Sequence, residues 1–559
     1  MKRTNVLLFI LVLVVAACSP APVADKPAAA APEAAAPEAA APEAAAPEAA
    51  APEAAAPEVL VLPVFSYNTA LSPDMEDNDL TRLVEKKFNI DLQFSTVSSE
   101  DVQEKQNLLL ASGEYTPVMF GQFSQNDQIK YGQAKTFIPL NDLIEKYGPN
   151  IKKAFEASPY LKKGVVSPDG NIYSLPGLEE CYHCDYAQKL YINVAWLTKL
   201  NLKLPTTTTE FESVLRAFKD KDPNGNGKPD EIALTGANAW WHSEPHGYIM
   251  NAFIYNNEES YFTLTNGVVD INANKPEWKK GLEFTKNLYD QGLIDPAGYT
   301  QSYDQLMVVG ENPDTNVIGA FTGGCCMPTH EVANARWTEY EVLPPIKGPN
   351  GVQNVGYFGE GVEQGIFVIT DKASEEQKIA AMQIVDYFYS EEGSVTEMYG
   401  PEGIGWTKAK PDEKGIDGKP ALYHSDEPGS RDDKKLNVTW NIDLKYTPKR
   451  VFDGRAQSQD TKAPDGYERY LAVETDKLAP FRPKEVFPRA IWFDPKDAQT
   501  IAQMQTDINA YIKTSTLQFI TGQLDLTKDW DAYVEGFKGL NLDEYLKFNQ
   551  TAYDTQYKK

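Results

Sequence analysis

The segment DPNGNGKPDE, residues 222–231, places oxygen-bearing groups at nearly alternate positions. These groups are the side chains of Asp222, Asn224, Asn226, Asp230 and Glu231, together with the backbone carbonyl of Lys228. Ca²⁺ takes six to eight oxygen ligands at about 2.4 Å, and a glycine such as Gly227 allows the sharp turn of a calcium loop. The spacing therefore predicts a structural Ca²⁺ site. The alternative is a solvated polar turn, because Asn-Gly sequences are common in turns.

The loop departs from a standard EF-hand in one respect. An EF-hand places its bidentate acid at the twelfth loop position, which is Ala233 in this chain. Glu231 would have to supply that ligand from two residues earlier.

Two adjacent tryptophans, Trp240 and Trp241, precede His242 in a loop rich in Gly, Ala and Asn. Two neighbouring indoles on one short loop cannot both point into a core, so we expect at least one to be exposed. Flat aromatic faces stack on the CH groups of sugar rings, which makes this loop a candidate saccharide site; core packing is the alternative. Further candidates stand in other loops and at strand ends: Tyr67, Asn68, Phe123, Gln125, Tyr357, Glu360 and Trp406.

The first eighteen residues predict export and lipidation. Lys2 and Arg3 precede an apolar run of about twelve residues, which is too short to span a bilayer and is typical of a signal peptide over residues 1–17. The run ends in Val-Ala-Ala before Cys18, a pattern similar to a bacterial lipobox with valine in place of the usual leucine. We expect Cys18 to carry lipid on the outer face of the cytoplasmic membrane; the alternative is an unlipidated signal peptide.

Residues 18–58 predict a tether. From residue 28 the sequence AAAPE occurs six times, with a proline at every fifth position. Proline blocks helix propagation in an otherwise helix-favouring composition, so an extended spacer is expected.

Four further cysteines are candidates for disulfides: Cys181, Cys184, Cys325 and Cys326. An exported chain folds under oxidising conditions, which favours one or two disulfides among them. Their spacing lacks the two-plus-two pattern of a zinc ribbon, so a metal site with His183 is the less favoured reading. Three pairings remain open.

The body, residues 59–559, is too long for one hydrophobic core and should divide into at least two lobes. The net charge of −27 disfavours nucleic acid and anionic lipid as partners of the body. Apolar runs alternate with segments of helical spacing near residues 59–65, 80–88, 90–94, 102–111 and 117–120, and residues 497–557 are strongly helical. This order predicts an α/β fold in which helices cover a parallel sheet.

Four long stretches of the body resemble the extracellular solute-binding lipoproteins of ABC importers, in particular the alginate-binding and LplA-type proteins. They are residues 130–156, 168–176, 190–232 and 505–522. The resemblance runs from about residue 60 to the C-terminus, and it includes the calcium loop position by position. It implies a two-lobed periplasmic-binding-protein fold with hinge crossings at residues 190–197, near Phe321 and at 365–369, and a helical C-terminal region. The implied lobes are 59–187 with 321–367, and 188–320 with 368–559.

The resemblance implies a binding protein that captures a carbohydrate and delivers it to an ABC permease, and a monomer is the family expectation. An oligosaccharide is expected, because several aromatics and few cations occur among the candidate residues. A uronate chain would require arginines such as Arg455 or Arg489 in the cleft. A binder of peptides or other small solutes has the same fold and is the alternative. An exported glycan hydrolase would use a pair of acidic residues, but among 80 acidic residues such pairs occur by chance and are no evidence for one. This class of protein is therefore disfavoured. We therefore expect no enzyme activity.

Overall fold

The computed structural model describes residues 59–238, 240–312, 314–325, 335–359, 362, 365–425 and 436–558. The predicted signal peptide, Cys18 and the tether lie outside these residues, as do Cys326 and Glu360.

Strands and helices alternate along the described chain. The strands are β1 (Leu60–Asn68), β2 (Ile90–Ser98), β3 (Val118–Phe123), β4 (Leu178–Glu179), β5 (Lys189–Asn193), β6 (Phe262–Thr265), β7 (Val268–Ile271), β8 (Ala320–Gly323), β9 (Tyr340–Val342), β10 (Gly365–Ile369), β11 (Trp406–Lys408), β12 (Tyr423–Ser425) and β13 (Tyr446–Thr447). The α-helices are α1 (Asp79–Phe88), α2 (Val102–Ser112), α3 (Gln125–Gln133), α4 (Asn141–Tyr147), α5 (Pro149–Ala157), α6 (Pro159–Val165), α7 (Val194–Lys199), α8 (Thr208–Asp220), α9 (Pro245–Met250), α10 (Pro276–Asp290), α11 (Tyr303–Gly310), α12 (Glu375–Phe388), α13 (Glu391–Tyr399), α14 (Lys449–Phe452), α15 (Tyr467–Thr475), α16 (Pro495–Thr521), α17 (Trp530–Gly539) and α18 (Leu542–Gln556).

The first sheet has the strand order β10-β3-β1-β2. Strand β1 is parallel to both β2 and β3, as the strand–helix–strand order predicts, and β10 is antiparallel to β3. Helices α1, α4, α5 and α12 contribute buried side chains to the same hydrophobic core. The predicted α/β class is confirmed, and the carboxyl ends of β1 and β3 bring residues 67–68 and 122–125 to one edge of this sheet.

The second sheet is antiparallel, in the order β8-β5-β9. One of its faces packs with helices α8, α10, α16, α17 and α18 in a second core. Its other face, which includes Tyr191, Phe321 and Tyr340, packs against Trp337 and helix α15. Alternate residues of β5 therefore belong to two different clusters, as the period of a strand requires.

Local sequence signals explain where the longer helices begin and end. Thr207 caps α8, because its side chain accepts a hydrogen bond from the Glu210 N–H. Helix α16 begins with Pro495 and ends at Gly522, which has a left-handed backbone conformation with φ of 80°. In the part of the chain that the structure describes, no helix is both long and apolar enough to cross a membrane.

The predicted lobe boundaries differ from the observed cores. Strands β8 and β9 pair with β5 in the second sheet, although residues 321–342 were assigned to the first lobe. Helix α12 and Trp440 lie in the first core, although residues 368–559 were assigned to the second lobe. A strand's apolar pattern shows that it is buried but does not identify its partner strand, and the crossing near Phe321 stays a prediction.

Trp440 is expected to support the first core. Its side chain is fully buried, packs edge-on against Phe94 and Phe388, and donates through Nε1 to Thr81 Oγ1 at 2.8 Å. We predict that Trp440→Ala lowers the free energy of unfolding by about 3–5 kcal/mol, because it leaves a cavity in a well-packed core. Denaturant unfolding measures this loss. Leu436→Ala, at a side chain that is 45% exposed, is the control and should stay within about 0.5 kcal/mol of the parent; equal effects would contradict this view of Trp440.

Candidate ligand-binding and metal sites

Trp241 is an exposed aromatic platform. Its residue surface is 38% exposed, and one side of its ring lies against the backbone of Gly324. The Gly324 N–H donates to the Trp241 carbonyl at 3.0 Å, which joins the tryptophan loop to the glycine loop after β8. A Cβ atom at Gly324 would lie 2.3 Å from the indole, so only glycine permits this approach. The expectation that one of the two tryptophans is exposed agrees with this position.

The two neighbours of Trp241 are more enclosed. Trp240 is half-buried and stacks on Tyr303, with ring centroids 4.7 Å apart. His242 stacks on Phe358 at 3.9 Å, and its backbone has a φ of 57°. Burial, with a smaller effect from Arg489, lowers the pKa of His242 to about 3, so the imidazole is neutral at physiological pH.

The Cys-x-x-Cys segment forms another wall beside Trp241. Cys181 and Cys184 form a disulfide bond, which leaves no thiolate pair for a metal. His183, between them, is buried with its ring centroid 6.1 Å from that of Trp241. Its Nε2 lies 3.2 Å from Glu468 Oε2. Cys325, which follows Gly324, is buried.

A cavity of about 290 Å³ lies between elements of the two cores. Gln125, at the start of α3, contributes to it from the first core, and Asn257, Glu259 and Arg489 line its opposite side. Glu259 connects this cavity to the tryptophan loop, because its Oε1 is 3.7 Å from His242 Nε2. Arg489 is engaged on the same wall: it forms an ion pair with Glu259 at 3.3 Å and donates to the Phe358 carbonyl.

Several predicted ligand residues do not join this group. Phe123 is fully buried against Phe137, because its position on β3 points into the first core. Tyr357 is 5% exposed, and the Arg482 guanidinium lies 3.6 Å above its ring, so its face is covered. Trp406 is 7% exposed in a small separate cluster. None of these three side chains offers an exposed ring for stacking in this structure, and their ligand role stays a prediction.

Tyr67 and Asn68 end β1 at the sheet edge. Tyr67 is 9% exposed within the first core, and burial raises its pKa to about 12. Asn68 is half-buried, and its Oδ1 has no hydrogen-bond partner among the described residues. An open acceptor at the carboxyl end of a strand is suited to a ligand hydroxyl.

The residues from 222 to 231 fold into a tight polar loop. Both oxygens of Asp222 accept backbone hydrogen bonds, from Gly225 N–H at 2.8 Å and Gly227 N–H at 3.1 Å. The two glycines have φ values of 78° and 75°, in the left-handed region that favours glycine. Asn224 and Asn226 donate from Nδ2 to Asp230, at 2.9 and 3.0 Å, and these hydrogen bonds lower the Asp230 pKa.

The loop fits a hard cation in its donor set and in one unsatisfied atom. Glu231 Oε1 is buried without a hydrogen-bond partner in the described part of the chain. Burial, together with the charges of Asp222 and Asp230, raises the pKa of Glu231. A cation here would relieve both conditions. It would also require the two asparagine amides to rotate so that their oxygens face it, as Oδ1 does in Ca²⁺ sites.

Sequence reasoning missed a group of ionisable side chains next to the tryptophan loop, of which Glu244, His246 and Glu258 are mostly buried. It consists of Glu244, His246, Glu258, Glu259 and Lys513. Burial and the charge of Glu244 raise the pKa of Glu258 to about 8. No motif signals this group, because its members come from separate segments that only the fold brings together.

The sequence matches a known protein family. The model of the family described as bacterial extracellular solute-binding protein matches residues 75–395, more than half of the chain. The chain is 27% identical over 510 residues to the fructooligosaccharide ABC transporter substrate-binding protein FusA of Streptococcus pneumoniae serotype 4, covering 88% of this chain and 90% of FusA. It is 23% identical over 489 residues to lipoprotein LipO of Bacillus subtilis, covering 85% of this chain and 89% of LipO.

Solved structures of FusA have the same fold. The complex of FusA with kestose superposes with a TM-score of 0.74 at 25% identity, covering 89% of this chain and 99% of FusA. An EF-hand mutant of FusA with fructo-nystose superposes with a TM-score of 0.73 at 24% identity. The two-lobed architecture expected from the sequence is confirmed by this match.

The contact between Trp241 and Gly324 can be tested by substituting the glycine. Gly324→Ala should displace the indole, because the new Cβ would overlap its ring. We expect a change in near-UV circular dichroism that is absent when the same substitution is made in a Trp241→Phe background. Gly539→Ala is the control, since nothing lies within 4 Å of a Cβ there. An unchanged spectrum for Gly324→Ala would show that the two residues do not touch in solution.

Proposed function

This chain belongs to the bacterial extracellular solute-binding protein family, and we propose that it captures a neutral oligosaccharide between its two lobes for an ABC importer. Solute-binding proteins of transporters are not enzymes, so the expectation of no enzyme activity is confirmed by the family. The observation that carries the sugar assignment is the exposed indole of Trp241, whose neighbour His242 contacts Glu259 in the wall of a polar cavity.

The chemistry around Trp241 supports a carbohydrate over other solutes. An exposed aromatic face is suited to the CH groups of a sugar ring, and nearby amides and carboxylates are suited to its hydroxyls. Gln125, Asn257 and Glu259 supply such groups in the adjoining cavity. FusA, whose name records fructooligosaccharide binding, is similar over most of the chain, so fructooligosaccharides such as kestose are the first class to test.

The charges favour a neutral sugar over a uronate. Arg489, the cation of the cavity wall, is already paired with Glu259. His242 adds no positive charge, because burial lowers its pKa to about 3. A chain of carboxylated sugars would have to compete with Glu259 for Arg489 on this wall.

Capture would follow from ligand contacts with both lobes. A sugar on Trp241 that also reaches Gln125 would touch the second and first cores together, and its extra contacts would favour the closed arrangement. The closed protein would then deliver the sugar to the permease subunits of the importer. A monomer suffices for this role, since both walls come from one chain.

We assign the loop at residues 222–231 to one structural Ca²⁺ ion. The ligands would be the side chains of Asp222, Asn224, Asn226, Asp230 and Glu231 with the Lys228 carbonyl. The buried unpartnered oxygen of Glu231 supports this assignment, as does the description of one FusA variant as an EF-hand mutant. The ion would neutralise the loop and hold the end of α8 against the strand segment that follows.

The first 58 residues complete the proposal. An exported chain with lipid on Cys18 would be held at the outer face of the cytoplasmic membrane, and residues 19–58 would space the body from it. Similarity to lipoprotein LipO supports this anchor. Mass spectrometry of the N-terminal peptide from membranes tests it, since a diacylated Cys18 is expected and an unmodified one would contradict it.

Isothermal titration with kestose, other oligosaccharides, uronates and short peptides tests the proposed function. We predict that Trp241→Ala weakens binding of the active saccharide by at least about 1 kcal/mol, roughly fivefold in Kd. The melting temperature should remain nearly unchanged, because the side chain is exposed. Binding by peptides alone would replace the sugar with the alternative ligand class.

Trp406→Ala is the matched tryptophan control. This side chain is buried away from the cavity, so its loss should lower stability and leave the affinity of the folded protein unchanged. Equal effects of the two substitutions on stability and binding would contradict the platform role of Trp241.

We predict that Ca²⁺ raises the melting temperature and that Asp222→Ala abolishes this rise, because the ion binds only the folded loop. Thermal unfolding with Ca²⁺ or with chelator measures the effect. Asp412→Ala, at an exposed acidic residue in another loop, should retain the full rise. A parent protein that is indifferent to Ca²⁺ would remove the metal from the proposal and leave the sugar site standing.

A further inference from the structure

Three ligand-type side chains converge beneath the tryptophan loop, at the start of α9 and in the loop that precedes β6. His246 Nε2 lies 3.5 Å from Glu258 Oε1 and 3.8 Å from Glu244 Oε2. One donor atom from each of the three residues lies within 4.8 Å of the other two. The group is distinct from the calcium loop, and the proposed sugar binding makes no use of it.

The polar atoms of this group are incompletely satisfied. The side chain of His246 is 4% exposed; its Nδ1 has no hydrogen-bond partner in the described residues, and its Nε2 faces the two carboxylates. Glu258 Oε1 is buried and likewise has no hydrogen-bond partner there. A buried carboxylate oxygen without a hydrogen bond is costly unless a further ligand satisfies it, and an ion held between His246 Nε2 and Glu258 Oε1 would do so.

The backbone is shaped to hold Glu258 in this position. Glu258 has a φ of 63°, in the left-handed region that non-glycine residues seldom adopt. Gly247 makes room for it, because a Cβ atom there would lie 2.2 Å from Glu258 Oε1. Such local strain is typical of functional positions.

The charge of the group also calls for a cation. Glu244 and Glu258 can bring two negative charges into a mostly buried space. The Glu244 side chain is 13% exposed, and the Glu258 side chain is 12% exposed. Lys513 lies 3.3 Å from Glu244 Oε1 and offsets one of them. Glu259 adds another carboxylate nearby, but Arg489 compensates it. A divalent ion would remove the remaining excess.

We propose that Glu244, His246 and Glu258 bind a divalent transition-metal ion, with Zn²⁺ as the best match. One imidazole nitrogen and two carboxylate oxygens form a ligand set that Zn²⁺ accepts at about 2.0–2.2 Å. Tetrahedral ligands at those lengths stand about 3.3–3.6 Å apart. The observed separations of 3.5 and 3.8 Å need only small side-chain adjustments.

The ion would fix the support of the tryptophan loop. His242 Nδ1 lies 4.0 Å from Glu258 Oε2, so the loop that carries Trp241 rests directly on this group. Zn²⁺ would tie the first turn of α9 to the loop around Glu258. The fourth coordination position would be left for water.

Zinc titration of the full-length chain tests the proposal. The protein is stripped with chelator, saturated with Ca²⁺ to block the calcium loop, and titrated with Zn²⁺ against a chromophoric chelator. We expect one Zn²⁺ per chain. Glu258→Gln and His246→Gln should each weaken Zn²⁺ binding at least tenfold, because each removes a ligand. His424→Gln, at a histidine whose side chain is 49% exposed, is the control and should bind Zn²⁺ as the parent does.

The absence of saturable Zn²⁺ binding, or unchanged binding by both ligand variants, would overturn the site. If circular dichroism shows that the variants do not fold, X-ray absorption at the zinc edge of the parent protein decides. We expect an imidazole together with oxygen ligands; a spectrum without imidazole would refute the assignment. The kestose titration is independent, so a failed zinc site and a failed sugar site are distinguishable.

Discussion

The described chain returns to its first hydrophobic core after building most of the second, and this constraint organises the molecule. Strand β10 pairs with β3 in the first sheet, although β5, β8 and β9 of the other sheet lie between them in the sequence. Trp440 returns to the first core again, before the C-terminal helices complete the second. The two cores are therefore joined by three passes of the chain. Polar side chains that neither core can bury collect between them, and Trp241 with its neighbouring cavity lies among these.

Elements that depend on local pattern were predictable from the sequence. Strands β1, β2 and β3, with the helices between them, follow from apolar runs and helical spacing, because a helical crossover between successive strands places those strands parallel. Strand partners across the chain were not predictable: β8 and β9 pair with β5, and α12 packs in the first core. An apolar run reveals burial, whereas the core it joins depends on contacts with residues more than a hundred positions away.

The two candidate metal sites show the same distinction. The loop at residues 222–231 is visible in the sequence because all of its ligands lie within ten residues. Glu244 and Glu258 are separated by a helix, and no motif connects them. Among the aromatic candidates, Trp241 was identifiable because of its adjacent tryptophan. The burial of Phe123 and Tyr357 was not predictable, since burial of a ring depends on what the fold places above it, such as the Arg482 guanidinium over Tyr357.

The proposed function requires one saccharide to touch both lobes while it stacks on Trp241. A crystal structure of the protein with a bound neutral oligosaccharide tests this most directly. We expect a sugar ring on the exposed face of Trp241. Hydroxyls of the sugar should reach Gln125 on one side of the cavity and the wall of Glu259 on the other. A sugar that binds away from Trp241, or that contacts residues of a single core, would contradict it.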